Sequence, residues 1–492
     1  MNESILLYYN FEDCREKQTK INNMVVTLDK IQELNKKLEN RFRGKLIVNQ
    51  DLKRTLVSFQ ANKKSPGYRW YKFKEGYSSA LVDYALSQLN FKSGKIIDPF
   101  AGSGTSLFAS AEHGLDAVGI ELLPIGAEII EVRKIIFESN NHNKLNKFLQ
   151  KWIENKPWIG EKGGRKINHL NITDGAFPET TEDLLGKFLN AIDQVKNKNY
   201  RRILRFVLLC VLEEISFTRK DGQYLRWDYR SGRGYGGNKF NKGIIKGFNQ
   251  AIIQKLQDIL SDLKGEDVLF DFPKEPKEKT GNIEILKGSC LTILPNLKSD
   301  EFDFLMTSPP YCNRYDYTRT YALELALLDV DEKKIRDLRQ DMMSCTVENK
   351  DKQNLDRLFS HSTFQKAGKA FEEQKELQAI IKYLEEKKNN KELNNPGIVR
   401  MVKNYFYETS LIIFESARIL KKGAPFVMVN DNVRYAGANI PVDLILSDIA
   451  QKAGFDVEKI WVLPIGKGNS SQQMGAHGRE ELRKCVYVWR KL

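Results

Sequence analysis

Apolar residues recur at helical spacing in "TLDKIQELNKKLENRF", where Ile31, Leu34 and Leu38 share a face and Thr27 or Asp29 stands at the N-cap. Leu81, Val82, Ala85 and Leu86 mark a second helix, capped by Ser78 or Ser79. "KIIDPFAGSGTSLFASAEHGLDAVGIELLP" changes period: a short apolar run, a glycine turn, a helix and a second run ending at Glu121. Gly114 stands where a helix-terminating glycine belongs, so the stretch predicts a parallel βαβ unit. Residues 131–280 then read as helical, through "HNKLNKFLQKWIENK", "RRILRFVLLCVLEEISF" and "NQAIIQKLQDILSDL", and close on a Pro/Lys-rich linker, "FPKEPKEKTG". Strand–helix text resumes at "NIEILKGSCLTILPNLKSDEFDFLMTSPPY". A charged, helix-prone stretch covers 331–400, with 371–395 read as a solvated helix. The end is α/β again: helix "VKNYFYETSLIIFESARIL", a stop at Gly423, strand "PFVMVN", helix "PVDLILSDIAQKAG", and strands "EKIWVLP" and "KCVYVWR".

The pattern predicts a doubly wound α/β sheet built from residues 68–130, 281–330 and 401–492. Six segments follow: an N-terminal extension (1–60), core pieces at 61–130, 281–330 and 401–492, and insertions at 131–280 and 331–400. At 492 residues the chain is long enough for more than one packed core.

Charge narrows the partners. The formal net charge of +14 favours a polyanion, nucleic acid first. No apolar run reaches membrane-spanning length, and the first residues lack the layout of a signal peptide. Six scattered cysteines form no C-x-x-C pair, which points to reduced thiols, and five isolated histidines show no metal spacing, so no metal is expected.

The turn Asp98-Pro99-Phe100-Ala101-Gly102-Ser103-Gly104-Thr105 lets backbone approach a ligand closely and presents a helix N-terminus to it. It lacks the lysine or third glycine of a phosphate-binding loop. Glu121, at the end of the next strand, is placed to accept from ribose hydroxyls. Together these suit a nucleoside cofactor without a pyrophosphate grip, S-adenosylmethionine for example, with its sulfonium and amino groups near Asp98. A plain tight turn with a solvated Glu121 is the bland alternative.

"FDFLMTSPPYCNRYDY" starts as a buried strand and breaks at Ser308-Pro309-Pro310-Tyr311. A turn alone would explain the prolines. They also stiffen the chain and leave carbonyls unpaired, so that the Ser308 hydroxyl and the Pro309 carbonyl can both accept from one exocyclic amino group. Tyr311 then offers a face for the ring to stack on. Both turns follow strands of one predicted parallel sheet, whose ligands gather at the carboxyl ends.

"DPFAGSGT" followed by "TSPPY" resembles the S-adenosylmethionine-dependent amino-group DNA methyltransferases, which modify N4 of cytosine or N6 of adenine. The resemblance covers about half the chain. It implies a Rossmann-like class I methyltransferase sheet with two largely helical insertions, S-adenosylmethionine as cofactor, and catalysis by the Ser-Pro-Pro-Tyr motif. Its serine form resembles the cytosine-N4 branch, whereas the order of the two motifs differs from that usual there. Adenine-N6 or RNA base methylation, or an inactive nucleic-acid-binding subunit, are the alternatives. "YRWYKFKEGYSSALV" is similar to the cofactor-binding segment ahead of the glycine motif in such enzymes, which puts Lys74, Tyr77 and Ser78 at the cofactor. Ser289 and Cys290 occupy the place where relatives carry an acidic residue against the adenine ring. The resemblance further implies double-stranded DNA as partner, a separate restriction endonuclease, no membrane, and the cytoplasm of a prokaryotic cell.

The segment between the motifs is the expected target reader. Residues 218–243 hold seven Lys/Arg against two Asp, interleaved with aromatics, and their glycines predict a flexible loop. Arg219, Lys220, Tyr224, Arg226, Trp227, Arg230 and Arg233 are its candidate contacts. Asn313 and Arg314 are placed at the base pocket, ahead of a helix in which Leu323, Leu325 and Leu328 pack. Lys467, in "GKGNSSQQMGAHGREELRK", is a further candidate. "DFPKEPK" at 271–277 weakly echoes a nuclease motif, but its prolines favour a linker.

Overall fold

The computed structural model describes residues 26–139, 142–221, 224–233, 239–265, 280–464 and 481–492. Its main sheet has eight strands: β1 (Leu46–Val48), β2 (Lys95–Asp98), β3 (Asp116–Glu121), β6 (Ile283–Lys287), β7 (Phe304–Thr307), β8 (Pro425–Asp431), β11 (Phe455–Val462) and β12 (Lys484–Lys491). Their spatial order is β1-β11-β12-β8-β7-β2-β3-β6. All neighbours are parallel except β12, which runs antiparallel to both β11 and β8. From β2 the chain runs outward through β3 to β6, then returns to β7 on the other side. The switch point therefore falls between β2 and β7, where a doubly wound sheet opens its ligand crevice.

The strands read as short apolar runs because both sheet faces are covered. Phe304, Leu305 and Met306 of β7 are all buried. On one face lies the 23-residue helix Gly397–Ile419, buried along most of its length. It packs against helices His361–Glu372, Lys375–Asn389 and Val442–Lys452. The 371–395 stretch is thus not a simply solvated helix. Leu377, Ile380, Ile381, Tyr383 and Leu384 form a buried stripe between its charges. A second core gathers helices Glu179–Asp193, Lys198–Ile215 and Phe248–Lys264 around Trp158 and Phe188.

Several caps follow the sequence reading. Thr27 caps helix Leu28–Phe42, its hydroxyl accepting from the Lys30 amide. Gly114 closes helix Thr105–Glu112 with φ 77°. Leu323 and Leu325 are buried, while Leu328 is half-buried. Two differences stand out. Strand β1, inside the N-terminal extension, pairs with β11 and adds an edge to the sheet. The 218–243 segment is not a loop throughout: β4 (Thr218–Asp221) and β5 (Tyr224–Trp227) pair as an antiparallel hairpin. A small hairpin of β9 (Val433–Tyr435) and β10 (Ala438–Ile440) completes the strands. Among the described residues, no helix is long and apolar enough to cross a membrane.

Candidate active site

Strand β2 delivers Asp98 to the crevice, where its buried carboxylate accepts from four donors. Oδ1 takes the Phe100 amide at 2.9 Å and the Thr307 hydroxyl at 2.6 Å; Oδ2 takes Ser106 Oγ at 2.5 Å and Tyr77 Oη at 3.2 Å. Burial raises its pKa, while these donors hold the charge. Asp98 is therefore a clamp joining the glycine turn to the end of β7. Gly102 and Gly104 both have positive φ, at 56° and 75°. A Cβ at Gly104 would stand 2.8 Å from Ile130 Cγ1, so the turn needs glycine there. Glu121 closes it from β3, Oε2 accepting from the Gly102 amide at 2.6 Å and Oε1 from the Leu123 amide at 2.7 Å. Burial lifts its pKa to about 8 against those amides.

Behind the turn, Arg133 is sandwiched between Phe108 and Tyr68, its guanidinium carbon 3.9 and 4.1 Å from the ring centroids. It donates to the Ser103 carbonyl at 3.2 Å. No pattern marked this residue, because an arginine on an amphipathic helix reads as solvent-facing.

A cavity open to solvent lies over the turn. Asp98, Pro99, Phe100, Ala101, Gly102, Ser103, Thr105, Glu121, Tyr77, Ser289 and Cys290 line it, and so do Ser308 and Pro310 from the second motif. Its mainly apolar wall, with a few fixed polar groups, fits a nucleoside cofactor. Three expected cofactor residues do not line it. Lys74 turns away: its Nζ donates to the Lys220 carbonyl at 2.5 Å and pairs with Glu213 at 3.8 Å. Phe73, Glu75, Gly76 and Tyr77 line the cavity instead, around a turn at 74–76. Ser78 is buried, its Oγ donating to the Leu56 carbonyl at 2.7 Å. Gly104 is the N-cap beneath the turn.

Other wall residues were not legible. Met342 and Met343 reach the cavity from the 331–400 insertion, and their apolar pair inside a charged run is the one signal that marks them. Glu75 accepts from the hydroxyls of Tyr315 and Tyr321, which ties the tyrosine-rich run after the motif to the cofactor segment.

Strand β7 ends at Thr307, and Ser308 Oγ donates to Tyr311 Oη at 3.2 Å. Pro309 and Tyr311 do not line the cavity, and Tyr311 lies toward β8 and β12. There Lys484 Nζ stands 5.6 Å from the Tyr311 ring centroid and 3.1 Å from Asp431 Oδ2. Burial works against the Lys484 charge, but Asp431 outweighs it and raises the pKa to about 12. Asn313 Oδ1 accepts from the Tyr315 amide at 3.2 Å. Arg314 adopts φ 66° and reaches Asn394 Oδ1 at 3.4 Å.

The hairpin sorts the basic candidates by strand alternation. Arg219 and Arg226 are directly opposed and exposed. Lys220 faces inward and is only 5% exposed. Its Nζ meets the Glu324 carboxylate at 2.5 Å and Tyr71 Oη at 3.0 Å, and lies 4.5 Å from the Tyr321 ring centroid. Lys220 is therefore a buried ion-pair partner and not a surface contact. Trp227 is buried too, with the Arg233 guanidinium 4.4 Å from its ring centroid. Arg226 lies over Phe240 at 4.1 Å, and Arg230 pairs with Asp228 at 2.7 Å. Tyr224 contributes its backbone to β5. Lys467 and the 271–277 motif lie outside the described residues.

No protein-family model matches the chain, and no solved structure matches it. Curated proteins do. Type II methyltransferase M.AvaI of Nostoc sp. is 51% identical over 467 residues, covering 94% of both chains. Type II methyltransferase M.BsoBI of Geobacillus stearothermophilus is 42% identical over 477 residues, covering 92% of this chain and 91% of its own. Type II methyltransferase M.MjaII of Methanocaldococcus jannaschii is 25% identical over 409 residues, covering 67% and 75%.

Proposed function

The chain belongs to the type II methyltransferases, and we propose that it methylates the exocyclic amino group of a base flipped out of double-stranded DNA, N4 of cytosine in preference to N6 of adenine. The observation that carries this reading is the shared cavity. The glycine turn lines one crevice with Ser308 and Pro310, and the two turns are joined by the Thr307–Asp98 hydrogen bond. The serine of the second motif supports the choice of cytosine through the family resemblance. A separate restriction endonuclease is the expected partner in the cell.

S-adenosylmethionine, when bound, supplies a methyl group on a sulfonium, an electrophile that needs no further activation. Gly102, Ser103 and Glu121 would hold it, Glu121 by accepting from ribose hydroxyls. Ser308 spends its own proton on Tyr311 Oη, which leaves its lone pairs free to accept from the amino group. The Pro309 carbonyl takes the second N–H. Fixing both protons aims the nitrogen lone pair at the methyl carbon, and orientation of this kind supplies much of an enzymatic rate. The same acceptors stabilise the positive charge that develops on nitrogen. No strong base is needed afterwards, since the methylated ammonium is a strong acid. Extruding the base is what brings its amino group within reach.

Long-read sequencing of DNA from cells expressing the chain tests the reading directly. N4-methylcytosine in a fixed sequence context is expected. N6-methyladenine would overturn the choice of base, and unmodified DNA would overturn the activity. Ser308→Ala should cut turnover by about 10²-fold while cofactor affinity measured by calorimetry stays the same.

A further inference from the structure

Ile244 is the most exposed large apolar side chain among the described residues, at 86%. It sits in "NKGIIKG", the irregular stretch that joins the β4–β5 hairpin to helix Phe248–Lys264. An isoleucine held in water is unfavourable, and a loose loop would fold it back. This backbone is not loose. The Lys242 amide donates to Asp228 Oδ2 at 2.6 Å, and the Gly243 carbonyl accepts from Arg230 Nη2 at 2.6 Å. Lys242 Nζ donates to the carbonyls of Glu213 and Ser216. The Lys246 amide donates to the Glu214 carbonyl at 3.1 Å, and Phe248 is buried. Gly243, at φ 86°, turns the chain just before Ile244. The loop is anchored on both sides while its apolar tip is held out.

Its surroundings say what the tip meets. Arg219 and Arg226 stand directly opposite each other on the hairpin's exposed face, and Asp221 pairs with Arg226 at 3.1 Å, so the face keeps a surplus of positive charge. Tyr229, 49% exposed, is bonded through its amide to the Phe240 carbonyl at 2.9 Å. The anchoring residue Glu213 also pairs with Lys74, whose neighbours Phe73 and Glu75 line the cofactor cavity. The tip thus sits on a basic segment whose anchor, Glu213, is tied through Lys74 to the segment that lines the crevice. Apolar side chains carried on a basic surface enter duplex DNA by unstacking a base step.

We propose that Ile244 is a wedge, entering the base stack where the target base leaves it. The inference rests on the proposed methylation of a flipped base. The wedge fills the vacated space, recovers the burial that isoleucine lacks in the free protein, and so lowers the cost of extrusion.

The test uses the full chain and two synthetic duplexes carrying the methylated sequence found by long-read sequencing. In one the target base is correctly paired; in the other it is mispaired, which makes extrusion cheap. Ile244→Ser should unfold at the wild-type temperature, because the side chain is 86% exposed among the described residues. On the paired duplex its kcat/KM should fall about tenfold or more, the ratio expected for withdrawing a buried isoleucine side chain. On the mispaired duplex it should come within about threefold of wild type, and Ile244→Leu should stay near wild type on both. An undiminished rate on the paired duplex, or the same deficit on both, overturns the wedge. Wild-type protein that methylates neither duplex overturns instead the reading on which the wedge rests.

Discussion

Thr307 Oγ1 donates to Asp98 Oδ1 at 2.6 Å across 209 residues of sequence. One bond therefore fixes the end of β7, just before the Ser-Pro-Pro-Tyr motif, against the start of the glycine turn. Thr307→Val keeps the shape and removes the donor. A hydrogen bond to a buried carboxylate contributes about 1.5–3 kcal/mol. The variant should lose stability of that size in urea unfolding, and turnover should fall because the two turns are no longer held in register.

Glu121 gives a pH dependence of unusual sign. Burial holds its pKa at about 8, above the 4.5 of an ordinary glutamate. The folded protein thus binds this proton more tightly than the unfolded chain does. The stabilisation is complete below about pH 4.5 and is lost as pH rises through about 8. Hydroxyl donors from a ribose favour the ionised form, so ligand binding near neutral pH should expel a proton. Calorimetric titration with S-adenosylmethionine in buffers of different ionisation enthalpy should show proton release in the wild type and none in Glu121→Gln.

Lys220 and Arg226 sit on neighbouring strands of one hairpin and should behave oppositely. Lys220→Met strands the Glu324 carboxylate, which is 1% exposed, and should cost about 3–5 kcal/mol of stability. Arg226→Ala should leave stability nearly unchanged, but weaken DNA binding and reduce its logarithmic salt slope by about one. Thermal melts and salt-titrated binding separate the two effects.

Arg133→Met removes the donor to the Ser103 carbonyl and keeps most of the side chain's volume between Phe108 and Tyr68. The glycine turn loses a rear support. Affinity for S-adenosylmethionine should drop roughly tenfold, as measured by calorimetry, with the fold retained by circular dichroism.

Local signals made much of the molecule legible. Strands β2, β3, β7, β8, β11 and β12 are bounded by turn residues that set their limits, and Gly102, Gly104 and Gly114 mark conformations that other residues adopt only under strain. The pairing of "DPFAGSGT" with "TSPPY" made the chemistry readable, because each motif follows a strand and a parallel sheet brings strand ends together. Strand β1 stayed hidden, since three residues carry too little period to be told from a loop.

Side-chain direction is what the linear text withheld. Lys74 looks like a ligand because its segment resembles the family's cofactor-binding segment, and Lys220 because lysine in an aromatic, basic stretch suggests a phosphate contact. In strand β4 a step of one residue reverses the face, so Arg219 is exposed where Lys220 is buried, and in the turn at 74–76 Phe73 and Glu75 line the cavity where Lys74 does not. Met342, Met343, Arg133 and the Thr307–Asp98 bond depend on contacts between segments far apart in sequence, and only chain packing sets these. The sequence by itself determined the sheet apart from its edge strand β1, the two turns and the residue types at the crevice. Tertiary structure decided which side chains face it and which basic residues stand outward on the hairpin.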